Sequence, residues 1–247
     1  MRKAISAIVV FMAFGLANAQ EARNNIDFEA EEHKRQEQEN TYQFSVGYRV
    51  EAGYMQPWQH SRTETYRDLY LHGIRLGATV DFNLPYHFSM QTGLYYNLTY
   101  GVSEQHVRAK SDESALPQTI DHRVLSHSFT IPLRATYTQK LWRELALWFY
   151  TGPELQIGLA QNDYIETSLA EPTRTWAESQ GWHTLPYEIY SAKELWRTNV
   201  QWGLGGGISW AQYRLQAGYN FGLNNLVRQT GRQMWEWGWN VGFSYGF

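Results

Sequence analysis

Cysteine is absent from this 247-residue chain. Disulfide bonds and thiolate metal sites are therefore excluded. Long hydrophobic runs are missing as well, because after residue 19 no apolar segment approaches the roughly 20 residues that a membrane-spanning helix needs. The mean hydropathy of −0.53 agrees with this pattern. The sequence thus excludes transmembrane helices.

An excess of positive charge is also missing. Lys and Arg number 21, and Asp and Glu number 24. Nucleic acid is therefore not an expected partner, because its binding requires a basic surface. Four histidines fall in predicted loops without the spacing of metal ligands: His60, His106, His122 and His183. We expect neither a metal nor a cofactor.

The first 19 residues have the pattern of a secretory signal. Arg2 and Lys3 precede an apolar run over residues 4–16, and Ala17-Asn18-Ala19 forms a small-x-small cleavage site. We predict a signal peptide over residues 1–19 that is removed on export. Residues 20–40 are dense in charge and nearly free of large apolar side chains, which predicts a periplasmic tail.

Aromatic residues are abundant, at 16% of the chain, and many recur at every second position. Over residues 234–247 they alternate with small or polar residues. Successive side chains of a strand point to opposite faces, so one face is aromatic and fits lipid. This strand also resembles the C-terminal signature of bacterial outer-membrane barrels. Phe243, Tyr245 and Phe247 are thus the predicted signal for the barrel-assembly machinery.

The same alternation predicts eight strands, over residues 42–54, 70–82, 88–100, 125–137, 145–159, 200–210, 213–221 and 234–247. Each is long enough for the roughly 9–11 residues that cross a bilayer. Their connections alternate long and short, as in outer-membrane barrels. We predict an all-β fold, an eight-stranded antiparallel transmembrane β-barrel over residues 41–247. Its expected location is the outer membrane of a Gram-negative bacterium, in contact with lipid, with both termini periplasmic.

The inward positions of these strands hold glycine, small polar residues and charges. The charges number four of each sign: Arg49, Glu51, Arg75, Asp81, Arg134, Glu154, Arg214 and Glu236. An unpaired buried charge is costly, so we expect an ion-pair lattice that fills the narrow lumen. The alternative is a polar conduit. Pro132 and Pro153, which lack a ladder donor, predict a bulge or weakened pairing between their strands.

The longest predicted connection, residues 161–197, contains aromatic residues that a membrane interface does not require: Trp176, Trp182, Tyr187 and Tyr190. They are candidates for a recognition surface. Packing within the loop explains them equally well.

From about Tyr42 onward the chain resembles the PorT-type family of small outer-membrane β-barrels. The matching segments are Phe129-Thr130-Ile131-Pro132-Leu133, Gly152-Pro153, residues 203–207 and residues 219–225. The resemblance implies a barrel in the outer membrane and no catalytic residues. Because the founding member of that family belongs to a protein-secretion apparatus, it also implies a secretion component as one candidate role and partner.

Two non-enzymatic functions follow. The favoured one is a structural or protein-interaction barrel whose partner is a secretion-apparatus component or a surface protein. The alternative is a narrow channel for small solutes. A membrane-embedded hydrolase built on His127 and Ser128 is disfavoured, because adjacent strand residues point to opposite faces.

Overall fold

The computed structural model describes residues 44–62, 69–107, 118–166 and 187–247. The predicted signal peptide and tail lie outside these ranges. The strands are β1 Ser45–Ser61, β2 Leu69–Tyr70, β3 His72–Asn83, β4 Phe88–Val107, β5 Gln118–Trp142, β6 Leu145–Glu166, β7 Tyr187–Glu188, β8 Thr198–Trp210, β9 Tyr213–Gly222 and β10 Met234–Gly246. In the described part of the chain, no helix is long and apolar enough to cross a membrane.

Eight of these strands close into a ring. Their order is β1, β3, β4, β5, β6, β8, β9 and β10, each antiparallel to the next, and β10 pairs with β1 from Gly246 and Arg49 to Met234 and Ser61. Closure leaves no free sheet edge along the wall. The predicted eight-stranded antiparallel β-barrel is confirmed. The short β2 and β7 pair with β1 and β6, respectively.

The two ends of the barrel differ. Short turns at residues 84–87, 143–144 and 211–212 join strands at one end, which we call the turn end. The longer connections lie at the other end, which we call the loop end. There β4, β5 and β6 continue well beyond the predicted strand limits, and residues 101–107 of β4 pair with β5 but not with β3. The β4 to β6 hairpins therefore project beyond the wall.

Prolines interrupt the ladder without changing its register. Between β5 and β6, pairing passes from Pro132 and Glu154 to Ala135 and Thr151, with no pairs between them in these described strands. The predicted weakening of pairing at Pro132 and Pro153 is therefore confirmed. The register shifts of this hairpin lie elsewhere, next to His127 and near Trp142.

Inside and outside are reversed relative to a soluble β-protein. Large apolar side chains such as Leu76, Leu133 and Phe243 are about half exposed on the outer wall, whereas buried positions are mostly polar or charged. Buried apolar side chains form two clusters near the loop end. One cluster is Leu69, Leu71 and Val124, and the other is Ile189, Leu195, Leu226, Val227 and Met234.

Candidate functional site in the barrel lumen

Glu154 on β6 is the hub of the lumen and is completely buried. It accepts hydrogen bonds from Arg134 Nε at 2.8 Å and Nη2 at 2.5 Å. Arg75 Nη2 donates at 3.3 Å and Asn220 Nδ2 at 2.9 Å. These donors come from β5, β3 and β9, so one carboxylate connects four strands across the barrel.

Asp81 is a second charged centre, closer to the turn end. Arg49 Nε donates to its Oδ2 at 3.0 Å, and Gln91 Nε2 donates to its Oδ1 at 2.8 Å. Arg214 Nη1 lies 3.6 Å from the same carboxylate. Arg49 also donates to the main-chain oxygen of Gln212, which ties this centre to the last short turn.

The other two predicted lumen carboxylates are held by uncharged groups. Glu51 accepts from Tyr95 Oη at 2.9 Å and from Gln216 Nε2 at 2.5 Å. Glu236 accepts from three amides, those of Gln59 at 3.0 Å, Gln201 at 3.2 Å and Asn199 at 3.4 Å. All eight predicted charges thus lie in the lumen, but their pairing is uneven, since the four arginines share Glu154 and Asp81.

Three interior aromatic residues were not among the predicted site residues. Tyr95, Trp148 and Tyr150 are buried in the lumen, and each faces an arginine. The Arg75 guanidinium carbon lies 3.9 Å from the Tyr95 ring centroid, Arg134 lies 4.2 Å from Tyr150, and Arg214 lies 4.1 Å from Trp148. The alternation of side chains along the strands could have identified them as lumen residues, because they lie on the same inward face as Gln91 and Glu154.

These groups form one continuous stack, the Arg–aromatic stack. Its order is Arg214, Trp148, Tyr150, Arg134, Tyr95 and Arg75. Trp148 and Tyr150 are stacked with centroids 5.3 Å apart. Glycine provides the room, since a Cβ on Gly77 would overlap Tyr95 and one on Gly218 would overlap the Tyr150 hydroxyl. The stack occupies the lumen with planar groups at cation–π distance.

A folded cap covers the loop end. Its segments 187–198 and 223–234 are joined by hydrogen bonds from Trp196 N to Leu226 O and from Leu226 N to Met234 O. Tyr190 packs against the apolar cluster of the cap, and a Cβ on Gly158 would meet its phenol ring. Burial, and next the Glu236 carboxylate, raise the pKa of Tyr190. Tyr190 therefore points into the barrel mouth.

The other candidate recognition residues are placed differently. Tyr187 donates from its hydroxyl to Glu194 Oε1 at 3.2 Å within the cap. Trp176 and Trp182 lie outside the described residues. Packing within the loop, the alternative to a recognition surface, describes both Tyr187 and Tyr190.

The remaining predicted positions lie on the outer wall or, for Ser128, in the lumen. Phe243, Tyr245 and Phe247 lie at the turn end, and Phe247 N donates to Tyr48 O at 3.0 Å. His127 Nδ1 contacts the Tyr96 hydroxyl at 2.6 Å.

Ser128, in contrast, points into the lumen, where its hydroxyl oxygen accepts from Asn97 and Gln156. His127 and Ser128 are thus separated by the wall. Across the described ranges, no group of three or more His, Asp or Glu side chains is arranged to hold a metal.

The sequence model of the family "Outer membrane protein beta-barrel domain" matches residues 18–228. The chain belongs to this family. The protein is an outer-membrane β-barrel, which explains why its outer wall is apolar and its interior is polar. No curated protein matches the chain.

Solved structures of other outer-membrane proteins are similar at low identity. Surface protein A of Neisseria is 12% identical, with a TM-score of 0.41, 82% of this chain covered and 99% of that chain. The Ail attachment invasion locus protein of Yersinia pestis is 10% identical, with a TM-score of 0.38 and the same coverage. The N-terminal barrel of Pseudomonas aeruginosa OprF is 13% identical, with a TM-score of 0.32, covering 83% and 100%.

Proposed function

We propose that this outer-membrane protein is a closed, non-conducting barrel with a structural or protein-interaction role exerted at its loop end. The proposal places the loop end outside the cell and both termini in the periplasm. The observation that supports a non-conducting barrel is the packing of the lumen, in which the Arg–aromatic stack and Glu154 occupy the cross-section. The interior of an eight-stranded barrel is just wide enough for side chains to fill.

The charge network supports a permanent plug. Arg134 and Glu154 are both fully buried and are joined by two hydrogen bonds. Breaking a buried pair of this kind costs about 3–5 kcal/mol, because the remaining charge loses its partner. Ions would have to displace this pair in order to cross, so thermal opening of the lumen is rare.

The projecting hairpins support an interaction role. Residues 101–107 of β4 pair with β5 beyond the last β3 pair, so this hairpin extends past the closed wall. Strands that extend past a closed wall can pair through their main-chain donors and acceptors with an extended segment of another protein. The resemblance to the PorT-type family suggests a secretion-apparatus component as that partner, and a surface protein is the alternative.

The proposal includes no enzymatic role. His127 and Ser128 are divided by the barrel wall, with His127 at Tyr96 and Ser128 at Asn97. We further propose that Phe243, Tyr245 and Phe247 interact with the barrel-assembly machinery, because they present aromatic rings on the outer wall at the turn end.

One observation favours the alternative, a narrow channel. Several buried lumen atoms have no hydrogen-bond partner among the described residues, for example Arg75 Nε, Trp148 Nε1 and Tyr150 Oη. Polar atoms of this kind are commonly hydrated by buried water. A connected file of such waters would be a path for small solutes.

Planar-bilayer recording distinguishes the two functions. We expect no steady conductance from the wild-type protein, and a steady conductance from the double variant Tyr95→Ala with Tyr150→Ala, which removes two rings of the stack. Tyr70→Ala is the matched control, because this tyrosine is 53% exposed outside the lumen. A steady, ion-selective current through the wild-type barrel would refute the plug and support the channel.

The orientation of the barrel in the membrane can be tested by cysteine labelling, because the wild-type chain has no cysteine to react. Lys193→Cys places one thiol in the cap, and Glu144→Cys places one at an exposed turn-end position. A membrane-impermeant maleimide added to intact cells should label the first variant, and label the second only after the outer membrane is permeabilised. The opposite pattern would reverse the proposed topology.

Partner contact is tested by crosslinking in native membranes. The intact chain is compared with a variant lacking residues 173–186, which removes Trp176 and Trp182 and retains β7. We expect the variant to lose crosslinked partners. Unchanged partners would remove this loop from the proposal.

A further inference from the structure

The charges of the lumen balance in number but not in position. All four arginines and the carboxylates of Asp81 and Glu154 belong to the two ion-paired centres, and Glu51 contacts Tyr95 in the stack. Glu236 lies apart at the loop end, beside Gln59 on β1. In the described residues it has no ion pair with a basic side chain and is held by amides alone. Among these residues, the Glu236 carboxylate near the mouth of the barrel thus lacks a basic partner.

A cavity opens beside this carboxylate, below the cap. Glu236, Asn199 and Ser126 contribute its polar wall, and Tyr190, Leu195 and Leu226 contribute its less polar wall. The enclosed space accommodates one group about the size of a water molecule. The cavity therefore lies between the Glu236 carboxylate and the buried apolar side chains of the cap.

The same cavity contains an unused acceptor. Asn199 is only 5% exposed, and its Nδ2 donates to Gln156 and Glu236. Its Oδ1 has no hydrogen-bond partner within the part of the chain that the structure describes. A buried acceptor without a donor costs about 1–3 kcal/mol. A donor bound in this cavity would satisfy Asn199 Oδ1 and neutralise Glu236 together.

The basic side chain nearest the cavity has other partners. Arg197 lines the rim, but its Nη1 donates to Gly158 O at 3.3 Å and Leu159 O at 2.7 Å, and its Nη2 lies 3.9 Å from Glu188. It is about half exposed. Arg197 is therefore held at the rim and leaves the Glu236 carboxylate to another cation.

We propose that this cavity binds the ammonium head of a small primary alkylamine, with Glu236 as counter-ion and Asn199 Oδ1 as a hydrogen-bond acceptor. A primary ammonium carries three donors and one positive charge, which match the single carboxylate and the neighbouring oxygens. A stem no longer than a methyl group would lie beside Leu195 and Leu226, which are both buried in the cap. Divalent ions prefer several oxygen ligands with more than one carboxylate, and the cavity offers only one carboxylate.

This binding is independent of the proposed non-conducting function, since a plugged barrel and a channel can both carry the site. The test uses full-length protein refolded in a nonionic detergent. Isothermal titration calorimetry with methylammonium chloride should show saturable binding of one equivalent, at ionic strength matched with KCl. Glu236→Gln should weaken binding about tenfold or more, because a charged hydrogen bond is lost. Glu144→Gln, which removes an exposed carboxylate at the other end, should leave it unchanged.

Ser126→Leu provides a second variant that fills the cavity and retains Glu236, and it should also abolish binding. Far-ultraviolet circular dichroism and heat-modified gel migration establish that each variant is folded, and only folded variants are scored. Equal affinity of the wild type and Glu236→Gln, or no saturable binding by the wild type, would overturn the proposal. The assignment to primary amines would be overturned if tetramethylammonium, which has no N–H donor, bound as tightly as the primary amine. It would also be overturned if K⁺ competed for the site as strongly as the amine.

Discussion

Replacement of Glu154 by alanine removes the acceptor that serves two buried arginines. Arg134 and Arg75 would lose their carboxylate, as would Asn220 its acceptor. The guanidinium of Arg134 is fully buried and, in the described ranges, has one other side-chain acceptor, Gln91 Oε1 at 3.3 Å. Leaving a buried charge without its partner costs about 3–5 kcal/mol. We expect Glu154→Ala to lower the free energy of unfolding by this amount.

The assay is reversible urea unfolding of the barrel refolded into lipid vesicles, followed by tryptophan fluorescence. Glu144→Ala is the matched control, because this exposed turn carboxylate should change stability by less than about 0.5 kcal/mol. The double variant Arg134→Met with Glu154→Leu should lose less than Glu154→Ala, since an apolar pair replaces the buried ion pair.

The order of stability among the three variants distinguishes a sealed lumen from a hydrated one. A loss below about 1 kcal/mol for Glu154→Ala would mean that water enters and hydrates the arginines, and the lumen would then not be a sealed plug. A double variant less stable than Glu154→Ala would show that the arginine contributes mainly through its stacking on Tyr150 rather than through its charge.

Three further predictions concern packing, lipid and the cap. Gly218→Ala places a Cβ against the Tyr150 hydroxyl and should lower the free energy of unfolding in urea by about 1–3 kcal/mol. The control Gly47→Ala, whose Cβ meets nothing closer than 3.9 Å, should not destabilise the barrel. Equal effects of the two variants would contradict a filled lumen. Leu204→Arg in the middle of β8 should lower the free energy of unfolding by about 2–4 kcal/mol, and Trp210→Arg at the end of this strand by about 0–1 kcal/mol. Similar losses for the two variants would contradict lipid contact along this wall. Partial burial alone would raise the pKa of Glu188, but hydrogen bonds from Ser191, Gln161 and Tyr190 lower it. The Glu188 carboxylate therefore stabilises the cap fully above the unfolded-state pKa of about 4.3, and this stabilisation is lost as the pH falls through the folded-state pKa. The hydrogen-exchange protection factor of the Ser191 amide should accordingly fall at acid pH in the wild type and stay constant in Glu188→Gln.

The number of strands and the faces of the wall were predictable from the sequence. Alternation has a period of two in any strand, so outward Leu204 and inward Gly203 were distinguishable without a structure. Closure followed from the even strand count and the alternating connections. The inward phase of Glu154 and Arg134 was likewise a local property of their strands.

The strand limits at the loop end were not predictable in the same way. Residues 101–107 and 118–123 are polar, and the predicted membrane limits assigned them to a loop. In the structure they continue as paired strands of the β4 to β5 hairpin. A ladder is stabilised by its main-chain hydrogen bonds, which do not end where the apolar alternation ends.

Strand geometry alone specifies which side chains enter the lumen and which face lipid, so this choice can be read from the sequence. Which of the lumen residues meet depends on the closed barrel. Arg75 reaches Glu154 across 79 positions, and Gln59 reaches Glu236 across 177. Such contacts depend on the register of the closed ring and on the room left by glycine. For that reason the uneven charge pairing, the Arg–aromatic stack and the isolated Glu236 became visible only in three dimensions.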